Sequence, residues 1–346
     1  MAAVTLESPP VAASPQPVTL VDLAREAGTS PSTASRALSG RGYVSAPVRE
    51  RLLEAANRLG YVPNASARTL KHRTSRAIGV VVSDLANPFY ARLAAGIEQV
   101  LREAGHQMVV LGDNSELDAE VAGARTFLAM RAPGVIMTPA GAEAGELLIS
   151  QGVAVVEVDR RLVRVPCDAV VIDNERGAAH ATEHLLGLGH RRIAFLGVET
   201  DWTTDVGRLE GYRKALARAG VPPDEDLVLR IPLHVPDIPE RIEGLLDRAG
   251  ATAVFAANNL LTEEAWRVIR RRGLRIPEDV SLVGFDDVPW MEMVDPPLTV
   301  VAQPILDLGR HAARLLLRRL AAPSPVSSVE ILQPSLVIRG STGRRS

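Results

Sequence analysis

From Ala77 onward the chain alternates between two textures, and this alternation constrains the fold more than any other feature of the sequence. Short runs rich in valine and isoleucine ("AIGVVVS", "QMVVLG", "GVIMT", "VAVVEV", "AVVI", "RIAFLG", "TAVFAA", "VSLVGF") are separated by helical stretches such as "FYARLAAGIEQVLREAG", "GAAHATEHLLGLG" and "LTEEAWRVIRRRG". Runs that are apolar throughout, not at every second residue, read as strands buried on both faces. That is the condition of a parallel sheet covered by crossover helices. The expectation is a doubly wound α/β core, and about 260 residues is enough for two such lobes.

The residues before Ala77 have a different character. The whole chain of 346 residues carries a formal charge of only −2. Between Val18 and Arg76, however, ten basic residues face four acidic ones, a net of +6. A basic module on an acidic body is the charge pattern of a nucleic-acid partner. Within "VTLVDLAREAGTSPSTASRALSG", Leu20, Leu23, Ala24 and Ala27 form one apolar face of a two-turn helix that Gly28 ends. Ser30 caps a second helix with Pro31 in its first turn; Ala34, Ala37 and Leu38 turn inward, leaving Ser32, Thr33, Ser35 and Arg36 outside. Ser45 is the expected cap of a third helix carrying Val48, Leu52, Ala55, Ala56 and Leu59. Three short helices with a tight glycine turn are the helix-turn-helix plan, whose second helix fits a DNA major groove. The alternative is a small helical cap with a merely solvated polar face.

A single cysteine, Cys167, forms no internal disulfide, and no run of 18 or more apolar residues is present to span a bilayer. The opening "MAAVTLESPPVAASPQP" lacks the basic and apolar regions of a signal peptide and reads as a disordered tail, residues 1–17. A cytoplasmic, nucleoid-associated protein is expected. No repeat of 20 to 50 residues is visible.

With these residues in view, "VTLVDLAREAGTSPSTASRALSG" followed by "VSAPVRERLLEAANRLGYVPNASARTL" resembles the DNA-binding headpiece and hinge of the lactose-repressor family of bacterial transcriptional regulators. The resemblance continues through "IGVVVSDLANPFY", "VDRR", "LGHRRIAFLG", "GRLEGYRKAL", "VFAANN", "VSLVGFDD" and "PPLTVVAQP". It implies a small all-α helix-turn-helix headpiece over 18–62 and a hinge helix and linker over 63–75. A periplasmic-binding-protein-like core of two doubly wound subdomains follows over 76–340. The chain would cross between subdomains near Asp173, Gln303 and Gln333, giving a first subdomain of 76–172 with 304–333 and a second of 173–303 with 334–340. Residues 341–346 are expected to be a tail. By likeness, Pro31, Ser32 and Arg36 take base-reading positions, and Ser30, Thr33 and Ser35 contact phosphates. Thr19, Tyr43, Asn64 and Ala67 join the DNA-contacting set, and Leu70 wedges a minor-groove base step. Proline at 31 departs from members that hydrogen-bond a base there. Without the resemblance, "PNASARTLKHR" reads equally as a hinge helix too short to hold itself or as a plain linker.

Ligands of such sheets bind beyond the carboxyl ends of the strands. Polar residues stand at four of those ends: Asp84 and Asn87, Asp159 and Arg160, Asn258, and Asp286. Each alone is a common cap or turn residue, but as a set they mark a site for a small polar effector. Likeness to ribose-type members implies a cleft lined by Asn87, Phe89, Tyr90, Asp159, Arg160, Arg208, Asn258, Asp286 and Gln303. From sequence, Phe89 and Tyr90 fit either cleft or core. Asn259 stands where the family usually has Asp, and "PLHVP" at 232–236 replaces the usual aromatic segment.

Other classes have less support. Neither G-x-G-x-x-G after the first strand nor G-x-x-x-x-G-K-[ST] occurs, and His184, His190 and His311 show no metal spacing, so neither cofactor nor metal is expected. A transport-type solute-binding protein fits the core but not the basic headpiece, and an α/β enzyme acting on a sugar fits still less. The expectation is therefore not an enzyme but a ligand-responsive DNA-binding regulator, a repressor on a pseudo-palindromic operator. It would be a homodimer, since no apolar heptads close the chain.

Overall fold

The computed structural model describes residues 18–39, 42–61 and 75–345. They fall in two compact units, one holding the described residues up to Tyr61 and the other those from Ser75. In the first unit, α1 (Leu20–Glu26) is opened by a reciprocal capping box of Thr19 with Asp22. The chain turns at Gly28, φ +62°, and enters α2 (Pro31–Ser39), where the Ser30 hydroxyl accepts the Thr33 N–H at 3.1 Å. In α3 (Ala46–Leu59) Ser45 holds the cap position, but its side chain makes no capping bond, contrary to expectation. Pro47 has no N–H to offer, and the Val48 N–H goes to the Ser45 carbonyl instead. Leu23 and Leu52 are fully buried among Ala24, Ala34, Ala37 and Ala55, one small core under all three helices.

The second unit has two lobes. The first opens with β1 (Ala77–Val82), α4 (Pro88–Glu103), β2 (Gln107–Gly112), α5 (Leu117–Ala129), β3 (Gly134–Met137), α6 (Ala142–Ser150), β4 (Ala154–Asp159) and β5 (Asp168–Ile172). The chain then passes to α7 (Asn174–Gly187), β6 (Ile193–Val198), α8 (Thr203–Arg218), β7 (Val228–Ile231), α9 (Ile238–Ala249), β8 (Ala253–Ala256), α10 (Asn259–Arg271), β9 (Ser281–Phe285), α11 (Trp290–Met293) and β10 (Thr299–Ala302). It returns with α12 (Ile305–Ala321) and β11 (Val329–Leu332) to the first lobe, and ends in the second with β12 (Ser335–Val337). The sheets run β11-β5-β4-β3-β1-β2 and β12-β10-β9-β8-β6-β7. Every pairing is parallel except β12 on β10. Thus β4 and β9 hold the same place in their sheets. The returning α12 seats backbone to backbone on α4: a Cβ at Gly309 would stand 2.3 Å from the Leu93 carbonyl oxygen.

The strands β7, β10, β11 and β12 are not marked by the apolar runs. Three of them are half-exposed edge or near-edge strands of three or four residues, too short and too polar to read as buried runs. The expected tail needs correction as well. Ser341 is fully buried, donating its hydroxyl to the Leu282 carbonyl and accepting the Thr299 N–H. The Gly343 N–H reaches the Ser281 hydroxyl, and the Arg345 N–H reaches the Leu188 carbonyl. Residues 341–345 therefore fill hydrogen-bonding groups left open at the amino ends of β9 and β10. Replacing Ser341 by alanine strands a buried N–H and a buried carbonyl. The expected loss is about 1–3 kcal/mol, read as a lower urea midpoint of the core; an unchanged midpoint would show that these bonds do not hold the segment.

Candidate functional site

Two surfaces carry chemistry. On the headpiece, Pro31, Ser32 and Arg36 are exposed along α2, with Thr33 and Ser35 half-buried beside them. The Ser30 hydroxyl lies 2.9 Å from those of Ser32 and Thr33, and the Arg36 Nε donates to the Ser32 carbonyl. Tyr43 is 91% exposed. Thr19 is exposed too, though its hydroxyl serves the α1 cap. Asn64, Ala67 and Leu70 lie outside the described residues.

In the core, the carboxyl ends of the two sheets face each other across a cavity of about 470 Å³. All nine sequence-derived effector residues line it, together with Asp84. Asp159 ends β4 and Asp286 directly follows β9, equivalent places in the two lobes, and both have left-handed backbones at φ +71° and +72°. Such a conformation at a non-glycine residue costs of order 1–3 kcal/mol and is kept where a side chain has to be aimed. Arg208 of α8 lines the same cavity, and its charge acts on both carboxylates. Its Nε donates to Asn174 Oδ1 at 2.8 Å and an Nη to the Ala257 carbonyl at 2.6 Å, while the guanidinium lies 3.8 Å over the Phe285 ring. Asp286 accepts the Gln303 amide at 2.6 Å and the Asn259 N–H at 3.2 Å. The other Gln303 amide atom, Oε1, is buried without a partner.

Burial pushes the Asp159 carboxyl up to about 6, against the opposing pull of Arg208 and Arg160. Burial raises Asp286 too, opposed first by Arg208. Among the described residues no hydrogen bond ends on the Asp159 carboxylate, so its acceptors face the cavity. Phe89 and Tyr90 serve both roles left open by the sequence: they line the cavity and pack in the core, ring edge on ring face at 5.0 Å. Asn258 caps α10 through the Leu261 N–H, and Asn87 caps α4 through the Phe89 N–H. Arg160 lines the cavity, yet its Nε goes to the Pro139 carbonyl at 2.7 Å and an Nη to the Ser83 hydroxyl.

Trp202 and Asp205 of the cavity escape sequence reasoning, whereas Asn259 and "PLHVP" are marked there only as departures from the family pattern. Trp202 lines the site, with the Arg160 guanidinium 3.5 Å over its ring and its indole N–H donated across the lobes to the Ala140 carbonyl. A signal existed: Trp202 holds the cap position of α8, where serine, threonine or aspartate is favoured, and it makes no capping bond. Asn259 pairs with Asn87 across the lobes, amide to amide, at 2.7 and 3.3 Å. Asp205, held by the Thr200 and Thr204 hydroxyls, and His234 of "PLHVP" also stand on the wall. Among the described residues no group of three or more His, Cys, Asp and Glu is placed to hold a metal, and no helix is long and apolar enough to cross a membrane.

Comparison with known proteins matches residues 19–64 to bacterial regulatory proteins of the lacI family and 182–342 to a periplasmic binding protein-like domain. The HTH-type transcriptional regulator CelR of Thermobifida fusca is 38% identical over 335 residues, 93% of this chain and 98% of that protein. Among solved structures, a transcriptional regulator CelR–cellobiose complex matches with a TM-score of 0.71 at 34% identity, covering 94% of this chain and 99% of that one. The lac repressor dimer bound to operator and the anti-inducer ONPF matches with a TM-score of 0.82 at 30% identity, covering 95% and 100%.

The raised Asp159 carboxyl has a measurable consequence. An acid whose folded pKa exceeds its unfolded value weakens the fold as pH rises between the two, here from near 3.8 to about 6. Asp159→Asn keeps the shape, tolerates positive φ and never ionises. The variant is expected to be more stable than the parent at pH 7, by a few kcal/mol at roughly 1.4 per pKa unit, with the gain vanishing toward pH 4. Urea midpoints across that range check it, and a gain independent of pH would refute it.

Proposed function

Because the chain belongs to the lacI family of bacterial regulatory proteins, we propose that it is a homodimeric, sugar-responsive repressor acting on operator DNA in the cytoplasm. The observation that carries the reading is the cavity, in which two matched strand-end carboxylates share a wall and the field of Arg208, in a chain that also bears a helix-turn-helix headpiece. Ionised carboxylates accept from vicinal hydroxyls, and an arginine fork donates to a ring or hydroxyl oxygen. The wall holds Asp84, Glu116, Asp159, Asp205 and Asp286 against Arg160 and Arg208. That excess of negative charge favours a neutral sugar over a phosphorylated one. Cellobiose in the related CelR complex fits this chemistry. The cavity is read as a binding site and not as a catalytic one.

On DNA, Pro31, Ser32 and Arg36 of α2 enter the major groove, while Ser30, Thr33 and Ser35 hold phosphates, with Thr19 and Tyr43 at the margin. A sugar that touches both lobes favours one relative orientation of them, and only that preference changes operator affinity, by a coupling of typically about 1–3 kcal/mol. The test is titration of pseudo-palindromic operator DNA with and without cellobiose and ribose. The reading fails if no such DNA is retained, or if no sugar alters its retention.

Two variants separate the surfaces. Arg36→Ala should lose about 1–3 kcal/mol of discrimination between operator and scrambled DNA; equal selectivity in a competition assay would remove Arg36 from the reading set. Asp286→Asn, which tolerates the left-handed backbone, should bind operator as the parent does but lose the sugar response. A normal response in that variant would place the effector elsewhere.

A further inference from the structure

Glu120 of α5 stands outside the cavity wall and is only 1% exposed. A carboxylate is almost never buried so completely without a partner. Its partners are two backbone groups: Oε1 accepts the Ala140 N–H at 2.8 Å and Oε2 the Gly141 N–H at 3.0 Å. These belong to successive peptide units of the loop joining β3 to α6. In a trans peptide the carbonyl points away from the N–H. The carbonyl of the first unit, Pro139, accepts the Arg160 Nε at 2.7 Å, and that of the second, Ala140, accepts the Trp202 indole N–H at 3.2 Å. Two consecutive peptide planes are thus held between one carboxylate on one side and two cavity side chains on the other.

Resting on the effector-site reading above, we propose that Glu120 is a positioning residue of that site: it orients the two peptide units that hold Arg160 and Trp202 against the ligand cavity. The ionised carboxylate accepts both N–H groups. A protonated one keeps a single free acceptor and has to turn its O–H away, which releases one plane. Burial pushes the Glu120 carboxyl up to about 7, opposed by the two backbone bonds, so both forms are accessible near neutrality. The charged groups around it are Asp113 after β2, Glu157 of β4, Arg160 after β4, and Glu143 beside Gly141.

The test uses the full chain with Trp266→Phe and Trp290→Phe, which leaves Trp202 as the sole tryptophan. In this background Trp202 emission should shift to the red and become more open to acrylamide as pH falls through about 7. Adding Glu120→Gln, whose amide N–H₂ meets a backbone N–H, should fix the loosened state at every pH. It should also weaken cellobiose or ribose binding by about tenfold or more, while operator affinity without sugar stays that of the parent. A residue needed only for folding would lower the unfolding midpoint without moving the pH profile of Trp202. The proposal is overturned if Glu120→Gln leaves Trp202 emission unchanged, or if the pH profile persists in the variant and so belongs to Asp159, Glu157 or Asp113. A Trp202 response as described, in a parent that binds neither sugar, would sink the sugar reading and with it the effector role of Glu120, leaving only the loop contact.

Discussion

Burying two carboxylates at the facing ends of two sheets is the constraint from which most of the core's polar architecture follows. A carboxylate taken out of water destabilises the fold unless something compensates. For Asp286 the compensation is the Gln303 amide, the Asn259 N–H and the nearby Arg208. Arg208 is itself a buried cation, and it is fixed by Asn174 at the start of α7, the Ala257 carbonyl beyond β8, and the Phe285 ring. Each of these lies at a strand end or helix start, where a parallel sheet leaves groups free. Among the described residues Asp159 has no comparable protein donor, and its carboxyl is raised to about 6. On the reading proposed above, Asp159 is the acceptor left for an effector's hydroxyls.

Polar contacts join the lobes around this cavity, beside one apolar cluster that contains side chains of both. The polar ones are the Asn87–Asn259 pair, the Trp202 indole on the Ala140 carbonyl, the Arg160 guanidinium on the Trp202 ring, and the Arg161 N–H on the Thr203 hydroxyl. Net contributions of such bonds run about 0.5–1.5 kcal/mol each. Their sum is of the same order as the coupling between sites in allosteric proteins, about 1–3 kcal/mol. These polar contacts are of a size that an effector bound between the lobes, as proposed above, could replace.

The sequence announced what depends on periodicity and failed where tertiary context decides. Buried strands such as β1, β6 and β8 are legible because both faces are apolar, whereas β11 and β12 carry too few apolar residues to register. Ser45 holds the cap position of α3, as the sequence suggests, but local rules do not foretell that its hydroxyl makes no capping bond. The closing "GSTGRR" looked like a tail because small polar residues read as loop, yet Ser341 and Gly343 pair with groups more than 40 residues away. The cavity residues at strand ends were legible because doubly wound sheets put ligands there. Trp202, by contrast, was visible only as a poor helix cap, a local cost that makes sense once its ring and indole N–H are seen to bridge the lobes.

Asn259 shows how a departure from a family pattern acquires a physical reason. Asn87 has no freedom to turn its amide, because its Oδ1 is committed to the Phe89 N–H at 3.0 Å in capping α4. That same oxygen receives the Asn259 Nδ2 at 2.7 Å, while the Asn87 Nδ2 donates to Asn259 Oδ1 at 3.3 Å. An aspartate at 259 would still accept from the Asn87 amide. Its second oxygen, however, would confront the Asn87 oxygen at 2.7 Å, acceptor against acceptor, and its charge would sit next to Asp286, which already takes the residue's own backbone N–H. With five acidic side chains on the cavity wall, another would add repulsion where the lobes meet. The neutral amide removes that charge and supplies the donor that the fixed Asn87 oxygen requires. Asparagine at 259 is thus set by the cap of a helix in the opposite lobe, a constraint that only the folded chain brings into contact.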